Sequence, residues 1–186
     1  LALSADGRTL ACANRLDNTV SLIRLPEMTL LRTVECGKSP SSIAALPDGR
    51  FAVANSFSDS ISVIDITGLS ETLVDAPGVP NGVAASGGFL GAIGAASRSL
   101  QWYSLASLTP SGKIDLGDSP VSLAALAGGR FAAATRTELL VCDAKSGKTL
   151  ARKTLYVAGL AAEGDRIYAL TRDKIVTLDA GLTVSG

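Results

Sequence analysis

The sequence predicts an all-β protein built from repeated four-stranded antiparallel units, and three observations carry that expectation. Pro40, Pro80 and Pro120 stand 40 residues apart, and each precedes an apolar residue and an alanine pair: Ile43-Ala44-Ala45, Val83-Ala84-Ala85 and Leu123-Ala124-Ala125. A further copy, Leu160-Ala161-Ala162, lacks the proline. A glycine turn recurs in step, at Asp6-Gly7-Arg8, Asp48-Gly49-Arg50, Gly87-Gly88, Gly128-Gly129-Arg130 and Gly164-Asp165-Arg166, so five copies are visible. Apolar residues come in short alternating runs, and no i, i+3, i+4 stripe lasts for about ten residues, which is the pattern of strands.

The second unit shows the elements in order. Ile43 to Leu46 reads as strand A, Phe51 to Asn55 as strand B, Ile61 to Ile66 as strand C and Glu71 to Asp75 as strand D. Asp48-Gly49 makes the A to B turn, where glycine reaches positive φ without a steric cost. The first unit superposes on it, Thr19-Val20-Ser21-Leu22-Ile23 lying over Ser60-Ile61-Ser62-Val63-Ile64 at a shift of 41. Four strands in ~40 residues is a β-propeller blade. The expected blade units are 1–39, 40–79, 80–119, 120–158 and 159–186. Strand A lines the central axis of such a fold, where little space remains, and the alanine pairs fall on it. At ~40 residues per blade the chain holds about 4.6 blades. It starts at Leu1 and both ends fall inside units, so the expectation is a segment of a seven-bladed ring. A slice of this kind exposes unpaired edges and two apolar blade faces, and it should self-associate when made alone. Analytical ultracentrifugation checks this, and a monomeric, sharply melting product would contradict it.

Two propeller types are set aside by their signatures. WD40 blades carry Gly-His and Trp-Asp, whereas this chain has no His and its one Trp lies in Trp102-Tyr103; kelch units run to ~50 residues. The second unit reads Gly37-Lys38-Ser39-Pro40, Asp48-Gly49-Arg50, Ala52-Val53-Ala54-Asn55 and Ile61-Ser62-Val63-Ile64-Asp65. In these runs the chain resembles the YVTN, or lactonase-like, β-propeller repeat family of the WD40-like superfamily. The likeness covers the whole chain, is strongest over residues 1 to 83, and fades in the later units, where Ala133-Ala134-Thr135 and Ile167-Tyr168-Ala169-Leu170-Thr171 stand in for the motif. It implies a bacterial or archaeal protein, extracytoplasmic (periplasm or cell surface) more often than cytosolic; the residues themselves carry no address. It also implies, as an alternative activity, a phosphogluconolactonase-type hydrolase. Members of that type use a histidine with acidic and arginine partners, so its catalytic residues would have to lie in blades other than these.

Composition narrows the chemistry. The 186 residues carry 17 Lys and Arg against 17 Asp and Glu, and a net charge of zero argues against nucleic acid or an anionic membrane as partner. Hydrophobic residues make up 47% and charged residues 18%, so the chain is globular rather than disordered. No run approaches the ~18 apolar residues of a membrane span. With no histidine, a Ser-His-Asp or Cys-His nucleophile, a His-ligated zinc and a His-ligated haem cannot be assembled from this chain alone, and the last removes the expected ligand of a redox propeller. Cys12, Cys36 and Cys142 are odd in number and lack CxxC spacing, so they read as buried, reduced thiols rather than a disulfide framework or metal site.

The candidate site lies on the face where D to A and B to C connections emerge, since loops held by a rigid scaffold carry function. The D to A connections supply Lys38 and Asn81, and the B to C side supplies Asn14 and Asn55. Four of the five B to C turns also carry an arginine: Arg15, Arg98, Arg136 and Arg172. A rim of guanidinium forks suits a carboxylate, phosphate or acidic peptide, because each fork binds an oxyanion bidentately. The competing reading pairs them with Asp17, Asp59, Asp118 and Asp173 as solvated loop charges. Asp65, Asp143 and Asp179 end strand C in three of the five units, with Arg24 and Ser104 at that place in the other two, and they read as caps of the following turn. Pro80-Asn81-Gly82 resembles the calcium-dependent gluconolactonase-type propellers, but calcium takes about six to eight oxygens and no second repeat offers such an Asn, so no metal is expected. The expectation is a noncatalytic scaffold without a cofactor, binding a protein or a small polar or anionic ligand at the channel mouth.

Overall fold

The computed structural model describes residues 1–66 and 71–184, and it is all-β, with no helix among those residues. Five antiparallel sheets follow one another along the chain, each a meander whose spatial order is its chain order. The first holds β1 (Ala2–Leu3), β2 (Thr9–Asn14), β3 (Thr19–Arg24) and β4 (Thr29–Glu35). The second holds β5 (Pro40–Ala45), β6 (Phe51–Asn55), β7 (Ser60–Ile64) and β8 (Glu71–Asp75). The third holds β9 (Pro80–Ser86), β10 (Phe89–Gly94), β11 (Ser99–Ser104) and β12 (Pro110–Asp115). The fourth holds β13 (Pro120–Leu126), β14 (Arg130–Thr135), β15 (Glu138–Asp143) and β16 (Lys148–Thr154), and the fifth holds β17 (Gly159–Glu163), β18 (Arg166–Leu170) and β19 (Ile175–Leu178).

These sheets are propeller blades. Their first strands, β1, β5, β9, β13 and β17, neighbour one another in succession, whereas the fourth strands β4, β12 and β16 alternate between exposed and half-buried residues at the outside. Side chains stitch the inner strands together. Ser41 Oγ donates to Pro80 O at 3.1 Å and Asn81 Nδ2 to Pro120 O at 2.9 Å, one unit apart in each case. Ser42 Oγ accepts Val83 N–H at 3.2 Å, and Ser122 Oγ accepts Leu160 N–H at 3.0 Å. The alanines of the recurring pair lie on these strands. Ala84 and Ala124 are buried between blades, Ala44, Ala45, Ala85, Ala125 and Ala162 pack at the margins of the cores, and Ala161 is exposed.

The core lies between sheets rather than within one, because a sheet buries a face only against another layer. Ala11, Val20 and Leu22 of the first blade meet Ile43, Phe51, Val53 and Ile64 of the second. The other face of the second, with Ala52, Ile61 and Val63, meets Val83, Leu90 and Tyr103 of the third. Ile93, Leu100 and Trp102 of the third meet Phe131, Leu140 and Cys142 of the fourth, and Leu139, Val141 and Leu126 of the fourth meet Ile167, Ala169 and Leu178 of the fifth. Residues alternate between the two faces of each interior sheet, so β6 and β7 are buried throughout. On the outer faces of the first and last sheets Leu3 is 50% exposed and Ile175 65%.

Three local expectations are corrected. Strand A of the second unit begins at Pro40, not Ile43, and strand C ends at Ile64, not Ile66. Only Cys142 among the cysteines is buried; Cys12 and Cys36 are half-buried, and none of the three is in a disulfide. Burial pushes the Cys142 thiol up to about 12, which makes it an inert hydrophobe.

Candidate functional site

Backbone bonds join each B to C turn to the D to A connections on the same face. In the second blade Ser56 N–H donates to Ser39 O at 3.0 Å, Phe57 N–H to Lys38 O at 3.1 Å and Ala76 N–H to Asp59 O at 3.0 Å. In the third, Ala95 N–H donates to Val79 O at 2.9 Å and Ala96 N–H to Gly78 O at 3.1 Å. Asn18 (φ 57°) and Asp59 (φ 46°) precede strand C in the left-handed region, which Asn and Asp tolerate best, and each accepts a backbone N–H of the neighbouring connection. Asn18 Oδ1 takes Ser39 N–H at 2.8 Å and Asp59 Oδ1 takes Val79 N–H at 2.7 Å. Arg98 occupies the same place in the third blade (φ 49°) and its side chain offers no acceptor; there Ser119 N–H is capped by its neighbour Asp118, at 2.6 Å.

That arrangement decides where the rim charges go. Arg15, Arg98, Arg136 and Arg172 are all exposed in B to C turns, and none forms an ion pair among the described residues. Asp59 and Asp118 cap backbone N–H groups and Asp173 accepts the Thr171 hydroxyl at 3.3 Å, so the arginine–carboxylate pairing that the sequence allows is not made. Arg15 Nε donates to Ser39 Oγ at 2.9 Å, and the Arg172 guanidinium stacks 4.8 Å from the Tyr156 ring centroid. Arg98 and Arg136 have no side-chain hydrogen bond among the described residues. Of the ion pairs among the described residues, Arg50–Asp48 at 2.6 Å and Arg130–Asp165 at 2.7 Å belong to A to B turns on the opposite face, and Arg152–Glu138 at 2.7 Å joins strands C and D of the fourth blade. In the first of these the Arg50 guanidinium holds the Asp48 carboxyl below its usual range.

The asparagines divide between structure and surface. Asn14 Nδ2 donates to Thr19 Oγ1 at 3.0 Å and Ser21 Oγ at 2.8 Å; Asn55 Nδ2 donates to Ser60 Oγ at 3.2 Å and Ser62 Oγ at 2.9 Å. Each ties the end of strand B to strand C, and Asn55 is wholly buried rather than on the rim. Asn81 is half-buried, with its Oδ1 enclosed and unpaired. It lines a polar cleft of about 670 Å³ with Asp118, Ser119, Pro120, Val121 and Arg136. A second hollow, of about 570 Å³, is lined by Arg15, Leu16, Asn18, Lys38, Ser39 and Phe57. The sequence reading passed over Leu16 and Phe57, although apolar residues in the middle of polar turns were the available signal.

Two of the strand-C carboxylates, Asp143 and Asp179, behave as turn caps. Asp143 Oδ1 accepts Ser146 N–H at 2.8 Å, which is the main reason its carboxyl sits below the usual range, and Asp179 Oδ1 accepts Gly181 N–H at 2.9 Å. Among the described residues no group of three His, Cys, Asp or Glu could hold a metal, and no helix is long and apolar enough to cross a membrane.

No family model matches the sequence, and no curated protein matches it. In three dimensions the chain is similar to hydrazine synthase of Kuenenia stuttgartiensis, with a TM-score of 0.83 and 19% identity over 99% of this chain. The chain spans 64% of that protein's length. At this identity the likeness is one of fold: antiparallel blades arranged as a propeller.

Proposed function

We propose that this chain is a noncatalytic propeller scaffold of the YVTN kind, binding a protein or a small polar or anionic ligand on its D–A and B–C face. The observation that carries the reading is the state of Arg98 and Arg136. Both are exposed on turns fixed by backbone bonds, and the nearby carboxylates are committed to backbone N–H groups. Unpaired guanidinium forks on a rigid frame bind oxyanions with little ordering cost.

Arg98→Gln combined with Arg136→Gln should weaken binding of citrate or inorganic phosphate about tenfold, which corresponds to ~1.4 kcal/mol. The fold should change by no more than about 0.5 kcal/mol, as for other exposed substitutions. Calorimetric titration with thermal melting reads both, and unaltered anion binding by the double variant would remove the basis of the proposal.

A further inference from the structure

Leu16 and Phe57 depart from the polar character of the turns that hold them. Leu16 is 94% exposed and Phe57 72%, the first in the B to C turn of blade one and the second in that of blade two. Single exposed apolar residues are ordinary, but these two line one hollow, where exposed apolar surface marks a contact site. The charged residues of the same lining, Arg15 and Lys38, are both cations, and no carboxylate belongs to it.

The backbone beneath these side chains is already ordered. Phe57 N–H and Ser56 N–H bond to the Lys38 and Ser39 carbonyls, and Lys38 N–H bonds to Ser58 Oγ at 3.0 Å. From the other side Arg15 Nε reaches Ser39 Oγ and Asn18 Oδ1 takes Ser39 N–H. Both turns therefore grip one connection, Lys38-Ser39, and hold their apolar side chains in fixed relation. The Lys38 ammonium has no hydrogen bond or ion pair among the described residues, and only the Nε of Arg15 is used. An apolar pair flanked by unneutralised cations has a definite complement, a segment that offers apolar side chains and carboxylates together.

We infer that this hollow docks an acidic peptide segment of a protein partner. The partner's apolar side chains seat against Leu16 and Phe57, and its carboxylates meet Arg15 and Lys38. The inference deepens the binding-face reading and rests on it, but it uses different residues from Arg98 and Arg136. Apolar anchors supply most of such an affinity, and the cations supply orientation and salt dependence.

The test is fluorescence anisotropy on the full chain with a labelled twelve-residue peptide alternating Asp or Glu with Leu or Phe. Two control peptides replace the acids by Asn and Gln, or the apolar residues by Ser. The acidic apolar peptide should bind at least tenfold more tightly than either control, and its affinity should fall between low and moderate salt. Leu16→Ser with Phe57→Ser should weaken it at least tenfold, as should Lys38→Glu. The side chains replaced are exposed, and an unchanged melting temperature confirms that each variant is folded. Equal binding of a control peptide, or unaltered binding by both variants, would overturn the inference. Loss of peptide binding only in the Arg98 and Arg136 double variant would overturn it while leaving the binding-face reading intact. Failure of both the peptide and small anions to bind would end both.

Discussion

Phe131→Ala should destabilise the chain by about 3–5 kcal/mol, the range for removing a buried phenylalanine. Phe131 is fully buried between the third and fourth blades, among Ile93, Leu100, Trp102, Leu140 and Cys142. Its ring fills the space that a side chain at Gly91 would take: a Cβ there would stand 2.8 Å from Phe131 Cε1 and 3.0 Å from Cδ1. Gly91 is thus small because Phe131 is large. Gly91→Ala alone should also destabilise, by roughly 1–3 kcal/mol for overpacking. Adding Phe131→Leu should recover part of that loss, because residues sharing one space are not additive. Chemical denaturation of Gly91→Ala, Phe131→Leu and the pair measures the coupling. A Phe131→Ala loss below about 1 kcal/mol would mean that this interface is not packed as described.

Gly87→Ala should cost between about 2 and 5 kcal/mol, because positive φ and a backbone collision act together. Gly87 has φ 53° in the turn between β9 and β10, and a Cβ on it would lie 2.7 Å from Gly129 Cα and 2.8 Å from Gly128 C. Those atoms are main chain of the next blade's hairpin. Beside them Ser86 Oγ donates to Leu126 O and accepts Gly129 N–H at 3.0 Å, so the two hairpins cannot part without loss. Gly88 provides the control. Its φ is 86° but a Cβ there meets open space, so Gly88→Ala should cost only the ~1–2 kcal/mol of left-handed backbone. Equal melting temperatures for the two variants would show that hairpin contact between blades contributes nothing.

The repeat was legible in the sequence because blade geometry imposes itself on single residues at fixed intervals. The prolines and the glycine turns mark the start of strand A and the turn that ends it, so the period and the blade type could be read directly. Strand A starts earlier than its apolar run suggests, for a specific reason. Proline ordinarily argues against a strand, yet strand A is an edge whose hydrogen-bonded neighbour is strand B, so the missing N–H of Pro40 leaves the ladder intact. Pro40 pairs with Asn55, and a register shift between Pro40 and Ser42 absorbs the irregularity. The candidate rim was legible as a set of residue types but not as a charge distribution. Nothing in the order of residues says that Asp59 serves Val79 N–H instead of an arginine; that follows from where the next connection passes. Asn55 ends strand B and so reads from the sequence as a rim residue, and only packing shows that it turns inward to Ser60 and Ser62.

The sharing of every core between two consecutive blades has a consequence for how such a chain is acquired and lost. A blade brings half of an interior with it and borrows the other half, so the unit of cooperation is the junction rather than the blade. Order therefore propagates as in a one-dimensional zipper, each finished neighbour acting as the template for the next. The contacts that close a junction join residues about 40 apart, and such short loops cost little entropy to form. A blade with a neighbour on each side is held from both and one with a single neighbour from one, so order is lost first wherever a neighbour is missing.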